Sequence, residues 1–243
     1  MRKLICASWL IFAAAILCCG AVKSNKELSK EEFLARSRRT SQVNTYARLA
    51  GTLQHRRRGR KLESMPIYFG IIMHKNQTVG QILLNRNEGY LINILRGSNL
   101  IKSTPMPTNK SSRLGDFGIR ATDLTLSFLF CKPEKEFESE TVSGVVPCRV
   151  LLLDDSENRE KIKVWISTEH CFPLQAEFYK YSENKPYRLL EASGFTQKNQ
   201  LYYVKRIRVE GPGWRTRVEF SSADLAVFDN PMQVPQVIVP IKE

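Results

Sequence analysis

The chain has 243 residues, 42% of them hydrophobic, a formal net charge of +13 and six cysteines. That length and apolar content support a sizeable core, so the fold does not have to rest on disulfides, and one domain of sandwich or barrel size is favoured over two small ones. So large an excess of cations turns the search for partners toward anionic ones and away from acidic-surface function classes.

Arg2 and Lys3 lead into an apolar run from Leu4 to Leu17 that carries no acid. This is the charged and apolar pattern of a secretory signal, shorter than the roughly 20 residues a spanning helix needs. Cleavage after Ala21 makes 1–21 the signal and 22–243 one mature domain, with a charge of about +11 once Arg2 and Lys3 leave. Acylation at Cys18 or Cys19 is the other outcome, and would tether the chain through Cys19. Export makes nucleic acid the least expected of the anionic partners. Cys6, Cys18 and Cys19 belong to the signal region, so Cys131, Cys148 and Cys171 remain. They allow at most one bridge, and their spacing matches no metal or redox motif.

Residues Glu27 to Thr40 set Leu28, Phe33 and Leu34 among charges after Ser29, which predicts a short amphipathic helix with an N-cap. From Val43 the period becomes two. A strand from Tyr46 to Leu53 leads to the cluster Arg56, Arg57, Arg58, Gly59, Arg60 and Lys61, expected as a hairpin tip. These cations either blunt strand edges in water or touch anionic headgroups. Strands follow at Pro66–Lys75, Thr78–Asn85 and Tyr90–Leu95, parted by turn residues. The Ser-, Pro- and Asn-rich stretch from Lys102 to Gly118 is expected to be a long loop. Thr122-Asp123-Leu124 then starts a very apolar short helix with Leu126, Phe128, Leu129 and Phe130, ended by Lys132-Pro133.

Six more strands are expected at Val145–Leu153, Lys161–Ser167, Leu174–Tyr181, Arg188–Phe195, Leu201–Val209 and Trp214–Ser221. Ile162, Val164 and Ile166 alternate with lysines; Leu174, Ala176 and Phe178 alternate with Gln175 and Glu177; Trp214, Thr216, Val218 and Phe220 alternate with Arg215, Arg217 and Glu219. One face is dry and the other wet. About ten such strands cannot stay flat, because twist curls or splits a sheet of that size. The expected fold is mostly β (α+β): a curved antiparallel sheet forming an incomplete barrel, with two short helices plugging its mouth.

Chemistry is not evident. His55, His74 and His170 are scattered and expected on the surface, and no phosphate loop, nucleophile elbow or framed carboxylate pair is present. Asp154-Asp155 reads as a turn. No catalytic residue, metal ligand or cofactor is therefore expected. The apolar strand face is either a filled core or a cavity for acyl chains, worth about 0.8 kcal/mol per buried methylene. Its candidate lining is Ile162, Val164, Ile166, Phe178, Tyr203, Val218 and Phe220, with Leu126, Phe128 and Leu129 as lid.

The run Val164-Trp165-Ile166-Ser167 followed by Pro173-Leu174-Gln175-Ala176-Glu177-Phe178-Tyr179 resembles a stretch of the outer-membrane lipoprotein-sorting, LolA-like proteins. Leu114-Gly115-Asp116-Phe117 and Ala121-Thr122-Asp123-Leu124 are similar to that family's Gly-Thr-Asp-Phe segment, with Ala121 and Leu124 where Gly and Phe are typical. Arg217-Val218-Glu219-Phe220 and Ala223-Asp224-Leu225 are similar to its closing strands, so the resemblance spans the first helix to about Pro235. It implies an incomplete barrel whose hydrophobic cavity accepts acyl chains. The function expected from it is a periplasmic or membrane-tethered lipid and lipoprotein carrier working toward the outer membrane. Its partners would be acyl chains, an anionic membrane surface and envelope membrane proteins, and the carrier itself a monomer. The alternative is an envelope stress sensor or scaffold that binds a protein partner with the same fold.

Overall fold

A computed structural model describes residues 24–38, 44–74, 77–95, 101–106, 113–199 and 201–240. The signal segment, with Cys6, Cys18 and Cys19, lies outside them. Twelve antiparallel strands form one sheet: β1 Thr45–Arg57, β2 Glu63–His74, β3 Gln77–Leu84, β4 Glu88–Leu95, β5 Ile101–Met106, β6 Lys132–Val142, β7 Val146–Asp155, β8 Glu160–Ser167, β9 Pro173–Lys180, β10 Arg188–Lys198, β11 Leu201–Gly211 and β12 Trp214–Val227. Their order is β5-β4-β3-β2-β1-β12-β11-β10-β9-β8-β7-β6, two meanders joined where the first strand pairs with the last. The sheet is not closed into a barrel.

This order has one large consequence. β5 and β6 are the two outermost strands, so the chain between them, residues 107–131, has to travel from one edge of the sheet to the other. Its described part does so across one face. Leu114, Phe117, Ile119, Leu124, Phe128 and Leu129 are buried in the same cluster as the inward residues of β1, β2, β8, β9 and β12. The helix α1, Lys30–Ser37, covers the same face with Phe33 and Leu34. Its start is set by a capping box, in which Ser29 accepts from the Glu32 N–H at 3.1 Å and Glu32 accepts from the Ser29 N–H at 2.9 Å. Arg149, on β7, fixes the preceding segment by donating to the carbonyls of Leu28 and Asn25 at 2.8 and 3.1 Å. Its other nitrogens grip Glu136 at 2.6 and 2.7 Å.

Two expectations are corrected at the edges. Ile101–Met106 is a strand where a loop was expected, and Lys132–Val142 is a strand where Lys132-Pro133 was expected only to end a helix. β6 reads KPEKEFESETV, an edge strand whose charges keep it from pairing further and whose Pro133 sits near its start. Such a strand has no apolar alternation to detect. The expected tip cations also divide: Arg56 and Arg57 belong to β1, and the turn begins at Arg58.

Leu174 does not share the inward face of Ala176 and Phe178. A register shift beside Trp165 and Ile166 turns it to the opposite face, into a second apolar cluster with Cys148, Val150 and Trp165. A further shift at Ala50/Gly51 kinks β1 against β12, and only glycine fits there because a Cβ would overlap the Glu219 carbonyl. The C-terminal segment lies across β2 and β3: Tyr68 Oη donates to the Val237 carbonyl at 2.6 Å, and the Gln81 amide pairs reciprocally with the Val239 backbone at 2.9 Å.

Candidate binding interior and its plug

Ile162, Val164, Ile166, Phe178, Val218 and Phe220 all fall within one buried cluster, each no more than 2% exposed. Tyr203 is half-buried at its border, while Val204 takes the buried position, because the alternation of β11 slips between Val204 and Ile207. Phe128 and Leu129 are buried against these strands and Leu126 packs half-buried beside them. The structure therefore brings the expected lining and the expected lid together. It fills the interior with the lid's own side chains: Phe128 meets Phe178 edge to face, with centroids 6.0 Å apart.

The lid is not the continuous helix expected from Thr122 to Phe130. Helix α2 covers only Ala121–Thr125, Leu126 adopts a left-handed backbone at φ 55°, and a 3-10 turn spans Ser127–Phe130. A left-handed conformation in a branched residue is strained, and here it reverses the chain so that Phe128 and Leu129 face the sheet. Residues 114–130 thus form a plug made of short turns.

Polar contacts hold the plug at both ends, and periodicity signalled none of them. At one end Asp123 is wholly buried, accepts the Arg120 N–H at 2.7 Å and pairs with the Arg188 guanidinium of β10. Beside it Arg120 forks onto Glu160 of β8 at 2.8 and 3.0 Å and donates to Tyr187 Oη at 2.7 Å. Burial alone would raise the Glu160 carboxyl, but the bonds from Arg120 and Tyr187 hold it below its usual range. Burial and that carboxylate push the Tyr187 phenol up to about 12.

At the other end His55 sits 2% exposed, which corrects its expected surface placement; His74 and His170 are exposed. Position 55 faces inward on β1, where the ring packs edge-on against Phe117, with centroids 5.3 Å apart. Arg57 Nε donates to His55 Nε2 at 3.2 Å, which makes Nε2 an acceptor and leaves Nδ1–H to donate to Thr216 Oγ1 at 2.7 Å. Thr216 in turn donates to the Phe117 carbonyl, and Arg57 Nη2 donates to the Asp116 carbonyl at 2.6 Å. Arg57 is therefore engaged with the plug, unlike Arg58, Arg60 and Lys61, which are exposed on the turn. Burial, followed by the Arg57 charge, lowers the His55 pKa.

Cys131 and Cys148 are free thiols. Cys131 lies in the interior, where burial pushes it up to about 12, and Cys148 lies in the opposite-face cluster. These two are separated by the sheet itself.

No family model and no curated protein matches the sequence. Solved structures do. A DUF1329 family protein from Desulfovibrio piger is similar with a TM-score of 0.57 and 14% identity, over 79% of this chain and 90% of that one. A putative outer membrane lipoprotein-sorting protein domain from Vibrio parahaemolyticus is similar with a TM-score of 0.55 and 10% identity, over 84% of this chain and 93% of that one. At such identities the likeness concerns the fold alone. The fold is shared with that lipoprotein-sorting protein domain, as the sequence resemblance implied.

Proposed function

We propose that this chain is an exported carrier that holds the acyl chains of a lipid or lipoprotein on the inner face of its sheet, beneath residues 114–130. The observation that carries the reading is the way the interior is covered. An unbroken apolar face, from Ile67 and Leu53 through Val218 to Ile162 and Leu151, is closed by a strained plug of short turns rather than by a second sheet. Burying acyl methylenes there at about 0.8 kcal/mol each offsets the packing that Phe128 and Leu129 give up when they move aside.

Such a carrier works by differential affinity and makes or breaks no covalent bond. Cargo enters when the plug lifts and leaves when a membrane or partner offers a drier site. In this reading Ile162, Val164, Ile166, Phe178, Val218 and Phe220 line the loaded cavity, with Tyr203 at its rim and Leu126, Phe128 and Leu129 as lid. Among the described residues no helix is long and apolar enough to cross a membrane. The tethered form of the proposal is the one acylated at Cys19.

Native mass spectrometry of the protein purified from envelope extracts tests the reading. A bound lipid, displaced by a fluorescent fatty acid, is the expected result. A chain that is empty in every preparation and takes up no fatty acid would overturn it.

A further inference from the structure

Among the described residues the outer face of the sheet is covered on both flanks and bare in the middle. The C-terminal segment lies on β2 and β3, and the Trp165 cluster occupies β7 to β9. Between them β1, β12 and β11 present Arg56, Arg215, Arg217, Arg206 and Arg208 to one side. The strand register sets Arg56 directly opposite Arg215, and Arg217 directly opposite Arg208.

Like charges in directly opposed cross-strand positions repel one another. Three carboxylates interleave with them: Glu191 meets Arg208 at 2.6 Å, Glu219 meets Arg206 at 3.1 Å and also Arg217, and Glu210 is shared between Arg208 and Arg215. Three acids against five guanidiniums leave a cationic surplus. The Nε atoms of Arg206 and Arg217 are buried without a hydrogen-bond partner among the described residues. A groove of about 340 Å³ runs between these side chains. A second hollow of about 400 Å³ adjoins Arg56 and Arg215 and reaches Arg58 and Trp214.

The β1–β2 turn extends the field. The side chains of Arg58, Arg60 and Lys61 have no ion pair among the described residues, and the adjoining Leu62, 58% exposed, lines the groove.

We infer that this arginine face and the adjoining turn form a docking surface for a bilayer of anionic phospholipid. Guanidinium forks match phosphate oxygens two at a time. A phosphate seated between Arg56 and Arg215 relieves the opposed-charge repulsion that the strand register imposes there, since Arg56 has no ion pair among the described residues. The field crosses three strands, each about 4.8 Å from the next, and continues into the β1–β2 turn, so it accommodates an array of headgroups rather than one small anion. Leu62 adds an apolar contact beside the cations, a combination that suits the headgroup boundary of a membrane. The same end of the molecule holds the plug, since Arg57 neighbours the turn and bonds the Asp116 carbonyl. Docking therefore brings the β1–β2 turn, which adjoins the start of the plug, to the bilayer, while the plug itself lies across the sheet from the arginine face. The inference deepens the carrier reading and rests on it for its purpose, but it is measured separately.

The test uses the full mature chain with vesicles of phosphatidylcholine alone and of phosphatidylcholine with phosphatidylglycerol. Co-sedimentation with the anionic vesicles only, weakening as salt is raised, is expected. The double variant Arg56→Gln/Arg215→Gln and the turn variant Arg58→Ser/Arg60→Ser/Lys61→Ser should each bind about tenfold more weakly or worse. The turn variant alters no strand position, so it guards against a folding failure of the first. A control with the same loss of charge elsewhere, Lys135→Gln/Lys180→Gln/Lys185→Gln, should bind like the parent. Equal loss in the control, indifference to phosphatidylglycerol, or capture of an acidic peptide by the arginines without vesicle binding would each overturn the inference. Fatty-acid displacement should be unchanged in all three variants, which separates a failure of docking from a failure of carriage.

Discussion

Arg188 of β10 and Asp123 of α2 form an ion pair that is sealed from water, with side chains 3% and 0% exposed, and it pins the plug to the sheet. Arg188 also lies over the Phe178 ring at 4.6 Å and donates to the Gly118 carbonyl at 3.2 Å. The acid that the sequence places at a helix start is thus an electrostatic anchor.

Removing one member leaves a buried charge unpaired, so Asp123→Ala should cost about 3–5 kcal/mol. The double replacement Asp123→Leu/Arg188→Met should recover most of that loss, because neither charge then needs a partner. Urea unfolding of both variants checks the pair; equal destabilisation in single and double variants would show that the anchor is not electrostatic.

Glu160 provides an acid-sensitive contact. Its pKa is held below the unfolded carboxylate value of about 4.3, so it stabilises the fold above that pH and loses the contribution as pH falls through the folded value. Thermal melts on the acid side of pH 4.3 should show a steeper loss in the parent than in Glu160→Gln.

His55 acts in the same direction at milder pH. Its folded pKa lies below the unfolded value of about 6.5, so the unfolded chain binds the proton first and stability falls as pH drops below that point. Protonation would set a second N–H against Arg57. Replacing His55 by Gln should flatten the stability profile between about pH 7 and 5, read by denaturation at each pH.

Gly118 has φ 67°, and a Cβ there would run into the Trp214 ring. Gly118→Val should therefore cost about 1–3 kcal/mol or more, where a glycine replacement at a compatible φ would stabilise, and urea unfolding measures it.

Phe128→Ala separates a lid from an ordinary core residue. Either role predicts a destabilisation of about 3–5 kcal/mol. Only a lid predicts that the shortened side chain raises uptake of a fluorescent fatty acid, since the cargo then displaces less of the protein's own packing. Unchanged or reduced uptake would argue for a fixed core.

The two-sided strands, the capped first helix and the dry face running through Ile162, Val164, Val218 and Phe220 are legible along the chain without any coordinates. These are local properties, because alternation of period two reports which side of a strand is buried. Short motifs in the same strands also carry the fold resemblance. Everything else waits on tertiary pairing. β5 and β6 have no apolar rhythm, so only their pairing shows them as edges and makes the chain between them the plug. The turn of Leu174 to the outer face depends on a register shift, and the burial of His55 on a plug more than fifty residues away in sequence. Arg56 and Arg215 are far apart along the chain; only the joining of β1 to β12 sets their charges side by side. Local patterns specify what each strand buries, whereas like charges become neighbours only through long-range pairing, whose register a single chain segment does not encode.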